Sequence, residues 1–188
     1  MATRVEIMNL GLRGLGALSI ASPTEDSENA RRMSAIYDME LKAMLRLHPW
    51  SFAKKESALA QLVETPTLTE YTYVYQLPAD FVKLLQTDVE DNGYSHKIKG
   101  RKLYSNATAV NIGYIYFIED TATFDDSFAN AFAARLAAHL AYAITGDKDV
   151  AKIAIALATQ KLNEAKNLNA QEITPDQPTN DTWINSRL

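Results

Sequence analysis

The apolar residues of this chain change their spacing twice, and that pattern restricts the available folds more than any other feature. Up to about residue 48 they recur every three or four positions. Between 71 and 118 they alternate, and from 126 to 168 the helical spacing returns. Helical ends around an alternating middle predict an α+β protein, mainly α: a helical bundle with a small antiparallel β insertion. A length of 188 residues suits one domain with an elaboration. The reading is therefore a single domain over 1–168, with the insertion at 71–118 and an extended C-terminal arm at 169–188.

The first helix is placed at 3–15. Thr3 and Glu6 have capping-box spacing, and Val5, Met8, Leu12 and Leu15 form one stripe. The second is placed at 25–48, with Glu25, Asp26 and Glu28 at the positive end of its dipole. Met33, Tyr37, Leu41, Met44 and His48 share its inner face, and Pro49 ends it. From Trp50 to Val63 the pattern is mixed; an extended start is favoured.

In the middle, Tyr71, Tyr73, Tyr75 and Leu77 alternate with Thr72, Val74 and Gln76, all but the glutamine and leucine being strong strand formers. Leu77-Pro78-Ala79-Asp80 reads as a turn, Phe81 to Thr87 as a strand, and Asp91-Asn92-Gly93 as a second turn. His96 to Ile98 and Lys102 to Tyr104 flank Gly100 as a tight hairpin. Val110 to Ile118 is the last strand, with Ile112, Tyr114, Tyr116 and Ile118 on one face. Four or five strands are expected.

Two alanine-rich helices follow, at 126–145 and 147–168, broken at Thr145-Gly146-Asp147. The first carries Phe128, Phe132, Leu136, His139 or Leu140, and Ala143. The second is expected to turn Val150, Ile153, Leu157, Ala158, Leu162 and Ala165 inward. Small side chains let the axes approach, so an antiparallel hairpin is expected. Beyond Leu168 the chain becomes polar, and Pro175 and Pro178 oppose a helix. It nevertheless finishes on Trp183, Ile184, Arg187 and Leu188, residue types that suit a contact with another surface.

Composition narrows the chemistry. With no cysteine, disulfides and thiolate metal sites are excluded. His48, His96 and His139 have no partner at ligand spacing, so no metal or cofactor is expected. No nucleophile elbow occurs, and Gly11, Gly14 and Gly16 sit at a helix end, where they cannot form a phosphate loop. Glu119-Asp120 and Asp125-Asp126 could imitate a glycosidase acid pair, but acids beside a helix start have a simpler role as caps. No catalytic residue is expected. The net charge of −4 argues against a protein that lives by gripping phosphate backbone. The one basic run holds Lys97, Lys99, Arg101 and Lys102, read as an exposed hairpin for a subunit or tail contact. No apolar run is long enough for a membrane span, and the N-terminus lacks a signal-peptide core, which predicts synthesis in the cytoplasm.

Five segments in order resemble one family. They are Asn9-Leu10 through Leu15-Gly16; Glu28-Asn29-Ala30-Arg31-Arg32 through Tyr37-Asp38; His48-Pro49-Trp50-Ser51-Phe52-Ala53; Tyr73-Val74-Tyr75-Gln76-Leu77-Pro78-Ala79-Asp80; and Phe128 to Ile144. Together they look like the tail tubular protein A family, the head-to-tail adaptors or gatekeepers of podovirus-type phages. The resemblance implies a non-enzymatic virion protein, assembled in the host cytoplasm. Twelve copies would form a ring joining the portal protein to the tail nozzle protein (tail tubular protein B) and the tail fibres. DNA would pass through the lumen without specific binding. Trp183, Ile184 and Leu188, with Arg187, match by position and character the arm that reaches the portal in related adaptors. The alternatives are a tail-associated peptidoglycan hydrolase using acids near Glu119 to Asp126, and a small DNA-binding module using Lys97 to Lys102.

Overall fold

The computed structural model describes residues 2–64, 66 and 70–172. Helix α1 is Arg4–Gly14 and α2 is Glu28–Leu47. Seven strands follow: β1 (Lys54–Ala58), β2 (Ala60–Leu62), β3 (Tyr73–Gln76), β4 (Phe81–Thr87), β5 (His96–Lys99), β6 (Lys102–Ser105) and β7 (Asn111–Tyr116). A one-turn helix α3 (Asp88–Asp91) lies between β4 and β5. The chain closes with α4 (Asp126–Thr145) and α5 (Lys148–Glu172). The architecture is α+β, mainly α, as the change of period predicts.

Helix starts are set by side chains that satisfy the orphan N–H groups. Thr3 and Glu6 form the reciprocal capping box, Ser27 accepts from Ala30 N, and Asp125 accepts from Ser127 N. Gly146, at φ 68°, provides the left-handed residue that ends α4, a conformation that costs glycine no Cβ clash. The α4–α5 hairpin forms as expected. Its helices pack through alanine faces, with Ala131, Ala137, Ala141 and Ala165 buried.

The β region departs from the expectation in two ways. Its strands begin at Lys54, within the Trp50–Val63 segment where an extended start is favoured but before the insertion placed at 71–118, and they form two sheets. The first has the order β1-β7-β4, the second β2-β3-β6-β5, all antiparallel. Strand β1 carries Lys-Lys-Glu-Ser-Ala, mostly exposed, with no apolar alternation to reveal it. Its pairing with β7, from Lys54↔Ile115 to Ala58↔Asn111, makes it a strand.

The first sheet lies between two cores. Ile115, Val82 and Ile118 belong to the bundle core, with Met8, Leu12, Tyr37, Leu41, Trp50 and Phe128. Ile112 and Tyr114 belong to a second core, with Tyr75 and Leu103 of the other sheet, Leu77 just after β3 and Val89 of α3. Strand β7 is therefore buried on both faces, and Ile118 packs with the helices and not in one stripe with Ile112 and Tyr114 as expected. Likewise Val74 and Tyr75 are both buried, so β3 does not divide into a wet and a dry face. Phe128 anchors the bundle, with the rings of Trp50, Phe52 and Phe124 at 4.8, 4.9 and 5.0 Å, mostly edge-on.

Helix α5 runs to Glu172, so the arm expected from residue 169 does not start there. The reason lies at Asn169. Its side chain is buried and donates to Ser51 Oγ at 2.7 Å, while its carbonyl lies 3.1 Å from His48 Nε2. This polar contact pins the last turns of α5 to the exit of α2, at residues whose polarity alone suggests a tail.

Candidate functional site

The second half of α5 is held by α4 and by the Asn169 contact, and the first half packs chiefly on α4. Val150, Ala154 and Ala158 are half-buried and Ala165 is buried, which defines the inner face. Ile153 and Leu157, expected inside, are instead 68% and 46% exposed, on one flank of the helix. Ile155 is 56% exposed on the other flank, since two residues turn an α-helix by about 200°. Tyr142, near the end of α4, is also exposed. The stripe fails because α4 presents a narrow alanine face: it covers one line of α5 and leaves the larger side chains on either side uncovered. The signal was visible in the sequence, since Ile153, Ile155 and Leu157 cannot all share one narrow face.

The flank carrying Ile153 and Leu157 borders a crevice of about 110 Å³, enclosed by the end of α1, α4 and α5. Its lining side chains are all apolar and include Leu15, Ala134, Ala137 and Val150.

The basic hairpin forms at the expected place, β5 and β6 joined at Gly100-Arg101. Its cations divide into two kinds. Arg101 Nη2 donates to the carbonyls of Pro78 and Ala79, and the Arg101 carbonyl accepts from Leu77 N at 3.1 Å. Arg101 thus clamps the Leu77-Pro78-Ala79-Asp80 turn while remaining exposed. Lys102 pairs with Glu64. Lys97 and Lys99 are exposed and make no ion pair among the described residues. The turn is secured from its other end by Asp80, whose carboxylate accepts from Lys55 Nζ and Tyr114 Oη, both at 3.0 Å. Burial raises the Asp80 pKa, but these two donors outweigh it and hold the group below the ordinary carboxylate value.

Asp120, Asp125 and the three histidines have structural partners. Asp120 accepts from Ala122 N at 3.0 Å and Asp125 from Ser127 N at 2.6 Å, both as local caps. His48 faces Asn169 and Trp50, and burial lowers its pKa. His96 Nδ1 lies 3.2 Å from Glu90, and His139 Nε2 lies 3.2 Å from Glu40. Sequence reasoning missed Glu40 altogether. It is a buried acid between α2 and α4, and Arg135 Nε donates to it at 2.6 Å. Among the described residues no cluster of three or more potential metal ligands occurs, and no helix is long and apolar enough to cross a membrane. Trp183, Ile184, Arg187 and Leu188 lie outside the described residues.

Compared with models of known protein families and with curated proteins, the sequence has no significant match. The class rests on the fold itself: a helical bundle carrying a two-sheet β module, with large apolar side chains left exposed on both flanks of α5.

Proposed function

We propose that this chain is a structural head-to-tail adaptor of a short-tailed phage particle, a ring-forming subunit between the portal protein and the tail nozzle and fibres. The observation that carries the reading is the uncovered α5, with Ile153 and Leu157 on one flank and Ile155 on the other. A single long helix with large apolar side chains on both flanks is poorly suited to a chain that works alone. A closed ring of identical subunits needs two different complementary patches on each copy, and the two flanks of α5, with the projecting β module, offer such patches. The five segments that resemble the adaptor family fall on α1, α2, the turn after it, the β3–β4 turn and α4. In this reading they build the scaffold, and the contacts come from α5, from the Lys97–Lys99 edge and from the arm ending at Trp183, Ile184, Arg187 and Leu188. A net charge of −4 suits a lumen through which DNA slides without sticking.

The test is the native mass of the full chain, alone and mixed with purified portal rings. The expected result is a dodecameric collar added to each portal, lost when Ile155→Glu is introduced with the thermal transition unchanged. A chain that leaves portal rings at their own mass at every ratio tried would remove the reading.

A further inference from the structure

We infer that the apolar crevice between α1, α4 and α5 is a docking site for this chain's own C-terminal segment, with Trp183 as the inserted side chain. The inference concerns the isolated chain and does not rest on the adaptor reading.

Three observations converge on this occupant. The first is chemistry. The lining, Leu15, Ala134, Ala137, Val150, Ile153 and Leu157 among it, offers no hydrogen-bonding side chain, so only an apolar group gains by entering. Residues 173–188 are polar for most of their length and then bring together Trp183, Ile184 and Leu188. The second is size. At about 110 Å³ the crevice is smaller than a cavity of about 150 Å³ that accepts one benzene ring, so it takes the edge of one aromatic ring and is too small for a helix. An indole would enter by its edge, with the rest of the ring and its neighbours lying across the exposed rim at Ile153 and Leu157.

The third observation is reach. Leu157 lies about 22 Å back from Glu172 along the axis of α5, at about 1.5 Å per residue. An extended chain from Glu172 to Trp183 spans up to about 36 Å, at about 3.3 Å per residue. The segment can reverse direction after α5 and still arrive with length to spare. Pro175 and Pro178 favour extended backbone in the residues before them, which suits such a return. A tethered segment also competes at an effective concentration in the millimolar range, well above that of a second molecule in dilute solution.

The absence of cysteine makes the test direct. The full-length double variant Leu157→Cys with Ile184→Cys is oxidised at low micromolar concentration and run on a non-reducing gel. The control is Thr159→Cys with Ile184→Cys. Thr159 is exposed, is two residues away, and faces the opposite side of α5 at nearly the same tether length. Both substitutions sit at exposed helix positions, and far-UV circular dichroism checks that both variants are folded. The expected result is an intrachain disulfide forming at least about tenfold faster in the Leu157 pair than in the Thr159 pair. Equal rates would overturn the inference, and so would a product linking two chains, which would give the crevice to a second copy.

Discussion

Glycine 11 offers the sharpest test of how α1 meets α4. A Cβ at this position would lie 2.9 Å from the Ala133 carbonyl oxygen and 3.3 Å from Met33 Cε. The methionine terminus can swing aside, but the carbonyl belongs to the backbone of α4 and cannot. Gly11→Ala therefore forces the two helices apart by a few tenths of an ångström, along a contact that also packs Ile7, Met8 and Leu12. Overpacking of this kind costs about 1–3 kcal/mol, and alanine returns about 0.8–1.0 kcal/mol over glycine in a helix interior. Gly14, one turn on in the same helix, meets nothing within 4 Å, so Gly14→Ala collects only part of the propensity gain. The two variants make the same chemical change and, with about half the propensity gain at Gly14, should differ by about 0.5–2.5 kcal/mol, with Gly11→Ala the less stable. Each kcal/mol corresponds to roughly 2–4 °C in the transition of a chain this long. Urea unfolding followed by circular dichroism and by the fluorescence of buried Trp50 measures the difference. A Gly11→Ala protein as stable as Gly14→Ala would mean that α1 does not approach α4 as closely as described, and the argument from close packing would fail.

Two further outcomes follow from the side-chain contacts. Burial lowers the His48 pKa below its ordinary value of 6.5, so the unfolded chain takes up the proton at higher pH than the folded one. His48 therefore favours the fold fully above about pH 6.5, and that contribution declines as the pH falls towards the folded pKa. The thermal transition of the wild type should fall more between pH 7 and 5 than that of His48→Gln, and parallel curves would refute the assignment. In the β module, Arg101→Ala removes the donors to Pro78 and Ala79 and should cost about 1–2 kcal/mol in urea unfolding. The double variant Lys97→Ala with Lys99→Ala should stay within about 0.5 kcal/mol of wild type. Equal losses would show that Arg101 is no more committed than its neighbours.

Much of the local structure was legible because local physics sets it. The capping box at Thr3 and Glu6, the Asp125 cap, the glycine stop at 146 and the inner stripe from Met33 to Met44 follow from residue type and spacing alone. Elements whose existence depends on a distant partner were not legible. Strand β1 is an exposed Lys-Lys-Glu segment that is extended because β7 pairs with it, more than fifty residues away. The last turns of α5 are helical because Asn169 finds His48 and Ser51, contacts that polarity does not announce. The functional candidates divide in the same way. The sequence located the basic hairpin, but only the fold showed that Arg101 turns back to hold the Pro78 turn while Lys97 and Lys99 remain outside.

The sequence by itself determined the class, α+β with the helices at both ends, because side-chain periodicity reports whether a segment can bury one face. It could not determine which of two apolar faces on α5 would be buried, because that depends on the width of the helix opposite. Only the tertiary structure decided that α4 covers the alanine line and leaves Ile153, Ile155 and Leu157 outside. Burial is a property of pairs of surfaces, and a single chain segment states only one side of the pair.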